Sequence, residues 1–312
     1  MSARGGVSWP WVVAVAVLFF ISGAYLGRVT ERLDRAEPEP QRQKPKEPEA
    51  PVPIPGPAPA ERAEAPTGEK SQPVVEPGYE SEYPPAGGAR ISLLIDDLGR
   101  SVTDVDTLQQ LGVPISYAVL PFESRTPEVI AALREHEAEI LCHLPMVARN
   151  GANPGPGALS REMAADELTI GTRVALEKTP GAVGVNNHMG SDLSADPAAM
   201  RTILEVLAES GLFYVDSRTS ADSVGYQMAL EVGVPAAERQ VFLDSVHETE
   251  TVKEQFRRLL EVARERGAAI AIGHPSSVTL GVLEQEIPRA LAAGYEFVPV
   301  SYLLDRTSVQ LQ

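Results

Sequence analysis

The sequence predicts an α/β domain whose parallel strands form a sheet or barrel, and three observations carry that prediction. Apolar runs recur through the C-terminal two thirds of the chain, helix-like segments separate them, and five of the runs end on residues with metal-binding or acid–base chemistry. The run 91–95 leads into Asp96 and Asp97, 139–142 into His143, 182–185 into Asn186, Asn187 and His188, 212–215 into Asp216, and 268–272 into Gly273 and His274. Parallel strands that alternate with helices end on one common face, so residues far apart in sequence can meet there in a single pocket.

Taken from the N-terminus, residues 1–36 form a segment of their own. An uncharged apolar run spans 9–26, with Arg4 before it and Arg28, Arg32 and Arg35 after it. A run of about 20 such residues crosses the hydrocarbon core of a bilayer. A cleaved secretory signal is the alternative, because Ser22-Gly23-Ala24 offers small residues in a cleavage-like pattern; the length of the run favours an uncleaved anchor. Residues 37–89 follow, holding 14 of the 27 prolines among Glu, Lys, Gln and Ala. Such a stretch buries too little apolar surface to offset its ordering entropy and is expected to act as an extended, disordered stalk. The expected location is an inner-membrane anchor with the domain in the periplasm, the alternative being secretion after signal cleavage; the flanking arginines, more numerous after the run than before it, do not decide the orientation.

The domain itself is expected over 90–305, with a tail at 306–312. Strands are predicted near 91–95, 115–120, 138–143, 182–186, 212–216, 240–244, 268–273 and 296–300. Several are almost wholly apolar, as in sheets covered on both faces. Thr126-Pro127 and Asp196-Pro197 place a cap and an N-terminal proline at helix starts. Thr251 and Glu254 have capping-box spacing ahead of a helix reaching about Arg266. Gly211 and Gly267 sit where left-handed caps end helices. About eight strand–helix units in this length favour a closed or nearly closed barrel over a doubly wound open sheet. The segment 147–160, rich in Gly, Pro and Asn, reads either as a substrate rim or as a tolerated insertion.

Composition narrows the function. The chain carries 27 Lys and Arg against 43 Asp and Glu, a net charge of −16. A nucleic-acid partner calls for a basic face, so none is expected. Cys142 is the only cysteine and lies in an apolar strand, as a packed thiol does. Three of the five histidines, His143, His188 and His274, stand at strand C-termini, whereas His136 and His247 lie in polar contexts typical of the surface. Two adjacent carboxylates directly after a buried strand repel each other unless a cation or hydrogen bonds compensate. Neutral imidazoles and a carboxylate suit Zn²⁺, with a fourth position free for water.

With these residues in view, the chain resembles the polysaccharide deacetylases of the carbohydrate-esterase class, and most closely their divergent branch. The resemblance rests on Asp96-Asp97-Leu98-Gly99, His143-Leu144-Pro145-Met146, Asn186-Asn187-His188-Met189-Gly190-Ser191, Val215-Asp216-Ser217-Arg218-Thr219 and Gly273-His274-Pro275, in that order. It implies a distorted barrel of about seven β/α units, a divalent metal, usually zinc, and removal of N- or O-linked acetyl groups from a glycan, here one of the cell envelope. Carried over by position, Asp96 is the base and His274 the general acid, and Asp97 and His143 are metal ligands. Val147 occupies the place of the main family's second ligand histidine, and His188 is its natural replacement. Asp216, Asn186, Asn187 and Ser191 are expected around the ligands or at the substrate, with Asp216 either orienting an imidazole or contacting the substrate. The main family's Arg-x-Pro-Tyr and tryptophan elements have no counterpart, which keeps a second reading open: a catalytically idle barrel that binds or regulates in the envelope. A third, a glycosidase using Asp216 and Asp244, predicts metal-independent cleavage.

Overall fold

The computed structural model describes residues 83–305. The expected membrane run, nearly all of the proline-rich stretch and the tail 306–312 lie outside them. Among the described residues no helix is long and apolar enough to cross a membrane.

Among the described residues nine strands form one sheet in which every strand-to-strand pairing is parallel. The first four are β1 (Arg90–Leu98), β2 (Ser116–Val119), β3 (Glu139–Met146) and β4 (Gly184–Met189). Then come β5 (Phe213–Asp216), β6 (Ala236–Glu238), β7 (Val241–Phe242), β8 (Ala268–Gly273) and β9 (Glu296–Phe297). Seven helices connect them: α1 (Thr103–Gln109), α2 (Thr126–Glu135), α3 (Ala165–Lys178), α4 (Pro197–Glu209), α5 (Gly225–Glu231), α6 (Thr249–Arg266) and α7 (Ser277–Ala292). The strand order is β6-β5-β4-β3-β2-β1-β8-β7, and β9 pairs with the first residues of β1.

The sheet is a curled, parallel half-barrel, which meets the expectation of a distorted, closed or nearly closed α/β barrel in part, since the curl does not close. Its edge strands β6 and β7 are consecutive, separated only by Arg239 and Gln240, and do not pair with each other. The Arg239 N–H still donates to Asp216 O of β5, while the Gln240 N–H donates to Ile270 O of β8. One extended segment thus leaves one edge and joins the other, and the covalent chain spans the gap that hydrogen bonds leave open. β6 has no apolar run and escaped prediction; the strands expected over 240–244 and 296–300 shrink to two residues each.

Strand alternation sorts the core into layers. Leu94, Ala118, Leu141, Phe213, Val215, Ala237, Ile270 and Ile272 cluster with Val300 and with no residue of α1–α7, so they fill the concave side. Their neighbours Leu93, Ile95, Ile140, Ala269 and Ala271 pack with helix residues such as Leu133, Phe256 and Leu283 on the outside. A second outer cluster joins Cys142, Leu144, Val185 and Tyr214 to Ile203, Leu204 and Leu207 of α4. The chain after β9 covers the N-terminal end of the strands, where the Val300 N–H donates to Ser116 Oγ and Asp305 pairs antiparallel with Ala236.

Local signals fare unevenly. Asp196 caps α4 by accepting from the Ala198 and Ala199 N–H groups, and Gly267 ends α6 at φ +85°. Thr126 does not cap α2; its hydroxyl donates to Leu120 O and ties the helix to the end of β2. α6 starts at Thr249, so the box expected from Thr251 does not form. The fold also begins before Arg90: Ala86 and Ala89 are buried in the core, and the Tyr83 hydroxyl donates to Glu286.

Candidate metal centre

Consecutive strand residues point to opposite faces, so Asp96 and Asp97 cannot both face the concave side of a regular β1. A bulge resolves this. Ile95 pairs with Tyr117 and Leu98 with Val119, so β1 advances three residues while β2 advances two. Asp97 takes φ +60°, a left-handed conformation that Asp tolerates better than most residues. Asp96 keeps the concave orientation of Leu94, and the bulge turns Asp97 back to the same pocket.

The other strands deliver their residues by register. His143 on β3 pairs directly with Asn186 on β4, and His188 follows Asn186 by two residues on the same face. His143 Nε2 lies 3.1 Å from Asp97 Oδ1, His188 Nδ1 lies 2.9 Å from the same oxygen, and the two ring nitrogens are 3.1 Å apart. Asp97 Oδ1 is buried and accepts no aligned hydrogen bond despite these neighbours. An orphaned carboxylate oxygen beside two imidazole nitrogens fits a divalent cation, because donor atoms bound to one ion at about 2 Å stand roughly 3 Å apart. Asp97, His143 and His188 are the three residues placed to hold one.

Asp96 is 4% exposed and brings Oδ2 to 3.6 Å from His143 Nε2. Burial pushes its carboxyl upward and Asp97 adds to that, while His143, His274 and a hydrogen bond from Asn186 oppose. Asp97 is also partly desolvated, yet His143 and His188 hold it well below the usual carboxylate range. His274 lies across the pocket, with Nε2 3.6 Å from Asp97 Oδ2. Its Nδ1 faces Asp244 Oδ1 at 3.0 Å, and Asp244 Oδ2 accepts from the His274 N–H and the Thr279 hydroxyl. Burial lowers the imidazole, but Asp244, joined by Asp97 and Asp96, reverses the shift and takes it up to about 9. A cavity of about 330 Å³ opens beside Asp97 and His274, lined also by Arg100, Asp104, His247, Pro275 and Ser276. His247 is exposed as expected, yet stands at this opening.

The surrounding residues part from expectation. Asp216 orients no imidazole. It follows Val215, which faces the concave side, and therefore points outward, where it accepts from Arg218 N–H, the Ser223 hydroxyl and Tyr226 N–H. It braces the loop after β5 instead, and Asp244 holds the histidine. Asp216 and Asp244 consequently do not form a glycosidase pair across one cleft. Asn186 contacts both His143 and Asp96. Asn187, on the outer face, accepts from the Tyr214 hydroxyl and Ser217 N–H and donates to Met189 O. Ser191 accepts from Arg149 N–H and pins the 147–160 loop, which Arg149 further joins to Asp222. Sequence reasoning missed Asp244 as a partner of His274, Ser217 as a partner of Asn186, and Arg239. The Arg239 guanidinium donates to Ser217 O and Arg218 O and stacks on Phe242, whose ring meets His274 edge-on.

Comparison with known proteins places this geometry in a family. The uncharacterized protein YibQ of Escherichia coli K12 is 32% identical over 225 residues, covering 72% of this chain and 70% of its own. An uncharacterized protein of Haemophilus influenzae Rd is 33% identical over 196 residues, covering 63% of this chain and 70% of its own. The crystal structure of an uncharacterized protein from Agrobacterium tumefaciens C58 shares the fold, with a TM-score of 0.65 at 22% identity, covering 72% of this chain and 92% of that one. Residues 93–304 match the family described as divergent polysaccharide deacetylase. With that span inside the folded region and the site residues inside that span, the chain belongs to the divergent polysaccharide deacetylase family.

Proposed function

We propose that the domain is a metal-dependent hydrolase that removes N- or O-linked acetyl groups from a cell-envelope glycan. The observation that carries the reading is the orphaned Asp97 Oδ1 within 3.1 Å of two imidazole nitrogens, flanked by Asp96 and by His274. Asp97, His143 and His188 would hold the cation, with Zn²⁺ the best match to a carboxylate and two imidazoles. A divalent cation held there would supply Lewis-acid chemistry, polarising the acetyl carbonyl and acidifying water. Asp96, buried and poised upward, accepts the proton of the attacking water. His274, kept protonated by Asp244, donates to the departing nitrogen or oxygen and so completes the transfer. The apolar run 9–26 supports a membrane anchor, and a cell-envelope glycan as substrate calls for the domain on the periplasmic side of the inner membrane.

A second reading has its own support. The main family's Arg-x-Pro-Tyr and tryptophan elements for sugar recognition are missing, Trp9 and Trp11 being the only tryptophans of the sequence. That favours an idle barrel that binds or regulates. One set of measurements on the full-length protein separates the two. Metal content should approach one ion per chain, His188→Ala should abolish it, and His274→Ala should retain it. Acetate release from acetylated envelope glycans should fall about 10²- to 10⁴-fold in Asp96→Asn and in His274→Ala. Retained metal without any turnover would favour the idle barrel, and acetate release that survives both Asp96→Asn and chelation would sink the mechanism.

A further inference from the structure

We propose that Asn186 is a positioning residue which, through one side-chain amide, fixes both the ligand nitrogen of His143 and the orientation of Asp96. The proposal rests on the metal-dependent reading above for its consequence, though not for its geometry. Asn186 is fully buried, with Oδ1 2.9 Å from His143 Nδ1 and Nδ2 2.8 Å from Asp96 Oδ1. Nδ2 also reaches Ser217 Oγ at 3.3 Å, which uses its second hydrogen.

An amide offers two donors on nitrogen and only acceptor capacity on oxygen, and an ionised carboxylate only accepts. The structure sets the amide nitrogen against Asp96 Oδ1 and Ser217 Oγ and the amide oxygen against His143 Nδ1. An oxygen that only accepts requires His143 Nδ1 to carry the hydrogen. His143 then presents Nε2 as a lone pair, and this is the nitrogen that faces Asp97 and His188. The same amide occupies Asp96 Oδ1 and leaves Oδ2, the oxygen nearer the ring nitrogen of His143, directed at the site. One side chain thus sets the basicity and angle of a ligand, as partners of metal-bound histidines do, and aims the base as well.

The surroundings hold Asn186 in that role from three sides. Ser217, its third contact, is fixed by Asn187 Oδ1 at its N–H and by Arg239 Nε at its carbonyl. Asp216 braces the loop that follows. The motif Asn186-Asn187-His188 therefore supplies the ligand His188 and the orienter of His143 from one face of β4, and from the opposite face Asn187, which anchors Ser217.

The test uses the full-length protein. In metal-free wild type at alkaline pH, where imidazoles are neutral, ¹⁵N-resolved NMR should find His143 as the Nδ1–H tautomer; an Nε2–H tautomer overturns the proposal without need of any variant. In Asn186→Ala, Zn²⁺ affinity measured by chelator competition should fall about 10- to 100-fold. Asn186→Asp keeps the acceptor for His143 but sets a carboxylate against Asp96, so Zn²⁺ should stay bound near wild-type affinity while turnover is lost. Thermal melts identify any variant that fails to fold. Wild-type Zn²⁺ affinity and turnover in both folded variants would overturn the proposal. A wild type that binds no metal defeats the proposed function instead, and the tautomer measurement still decides the role of Asn186.

Discussion

Asp244→Asn isolates the charge that holds His274 protonated, and the structure sets the size of its effect. The imidazole rises from 6.5 to about 9 against the burial that lowers it; at roughly 1.4 kcal/mol for each pH unit, the rise is worth about 3 kcal/mol net to the imidazolium, its ionised neighbours' attraction less the desolvation. Asp244 leads the groups that raise it, ahead of Asp97 and Asp96, and the His274 side chain is 27% exposed. Roughly half of that figure, about 1.5 kcal/mol, is a fair share for Asp244 after screening. In a domain of this size that is about 3 to 6 °C in Tm. Because the folded value lies above the unfolded one, the contribution is complete below about pH 6.5 and is lost as pH rises through about 9. Asp244 itself is held low, mainly by His274 and Thr279 against burial, so its own contribution persists until the acid range. Melting curves of metal-stripped wild type and Asp244→Asn, recorded from pH 6 to pH 10, should differ most near neutrality. The gap should narrow above pH 9 to a constant remainder from the weakened Thr279 and His274 N–H bonds. A gap that stays flat across the range, or widens as pH rises, refutes the assignment of Asp244 as the charge that raises His274.

Two further outcomes follow from packing. Asp216→Ala strands the Arg218 N–H, the Ser223 hydroxyl and the Tyr226 N–H without their acceptor, and should cost about 2 to 4 kcal/mol in denaturant unfolding. Metal affinity should fall far less than in His188→Ala; an unfolding midpoint equal to wild type would contradict the bracing role. Gly184→Ala drives a methyl into the Phe213 ring on the concave side and should destabilise by about 1 to 3 kcal/mol. Phe213→Leu in the same chain should recover part of that loss in a double-mutant cycle, and strict additivity would show that the two residues do not collide.

The strands were legible wherever an apolar run of four or more residues met a polar or charged stop. β6 was not, because Ala236, Ala237 and Glu238 draw their strand character from neighbours on β5 rather than from their own pattern. The gathering of Asp97, His143 and His188 followed from strand ends opening on one face. What failed was the expectation that Asp216 orients an imidazole, a role that Asp244 takes, and alternation alone explains it. Phe213 and Val215 line the concave side, so Asp216 must face outward; Phe242 packs with the same layer, so Asp244, two residues on, must face in. That parity was present in the sequence but needed one fact from outside it, namely which residues of each short run line the inside of the curl. Where both faces of a strand are apolar, composition does not say.

The bulge at Asp97 is the feature no periodicity reveals, and the two-carboxylate arrangement depends on it. A regular β1 would send Asp97 among Ile91, Leu93 and Ile95, into the apolar layer under the helices, where an ionised carboxylate costs several kcal/mol. The left-handed turn at Asp97 carries a strain on the order of 1 kcal/mol, a smaller cost than the burial it avoids. It also separates the two groups by environment: Asp96 stays 4% exposed and is pushed upward, whereas Asp97, its side chain 26% exposed, is held low by two imidazoles. Adjacent carboxylates at the end of a buried strand therefore read as a bulge as much as a pair of charges. The backbone irregularity is what lets one of them meet a cation while its neighbour remains available as a base.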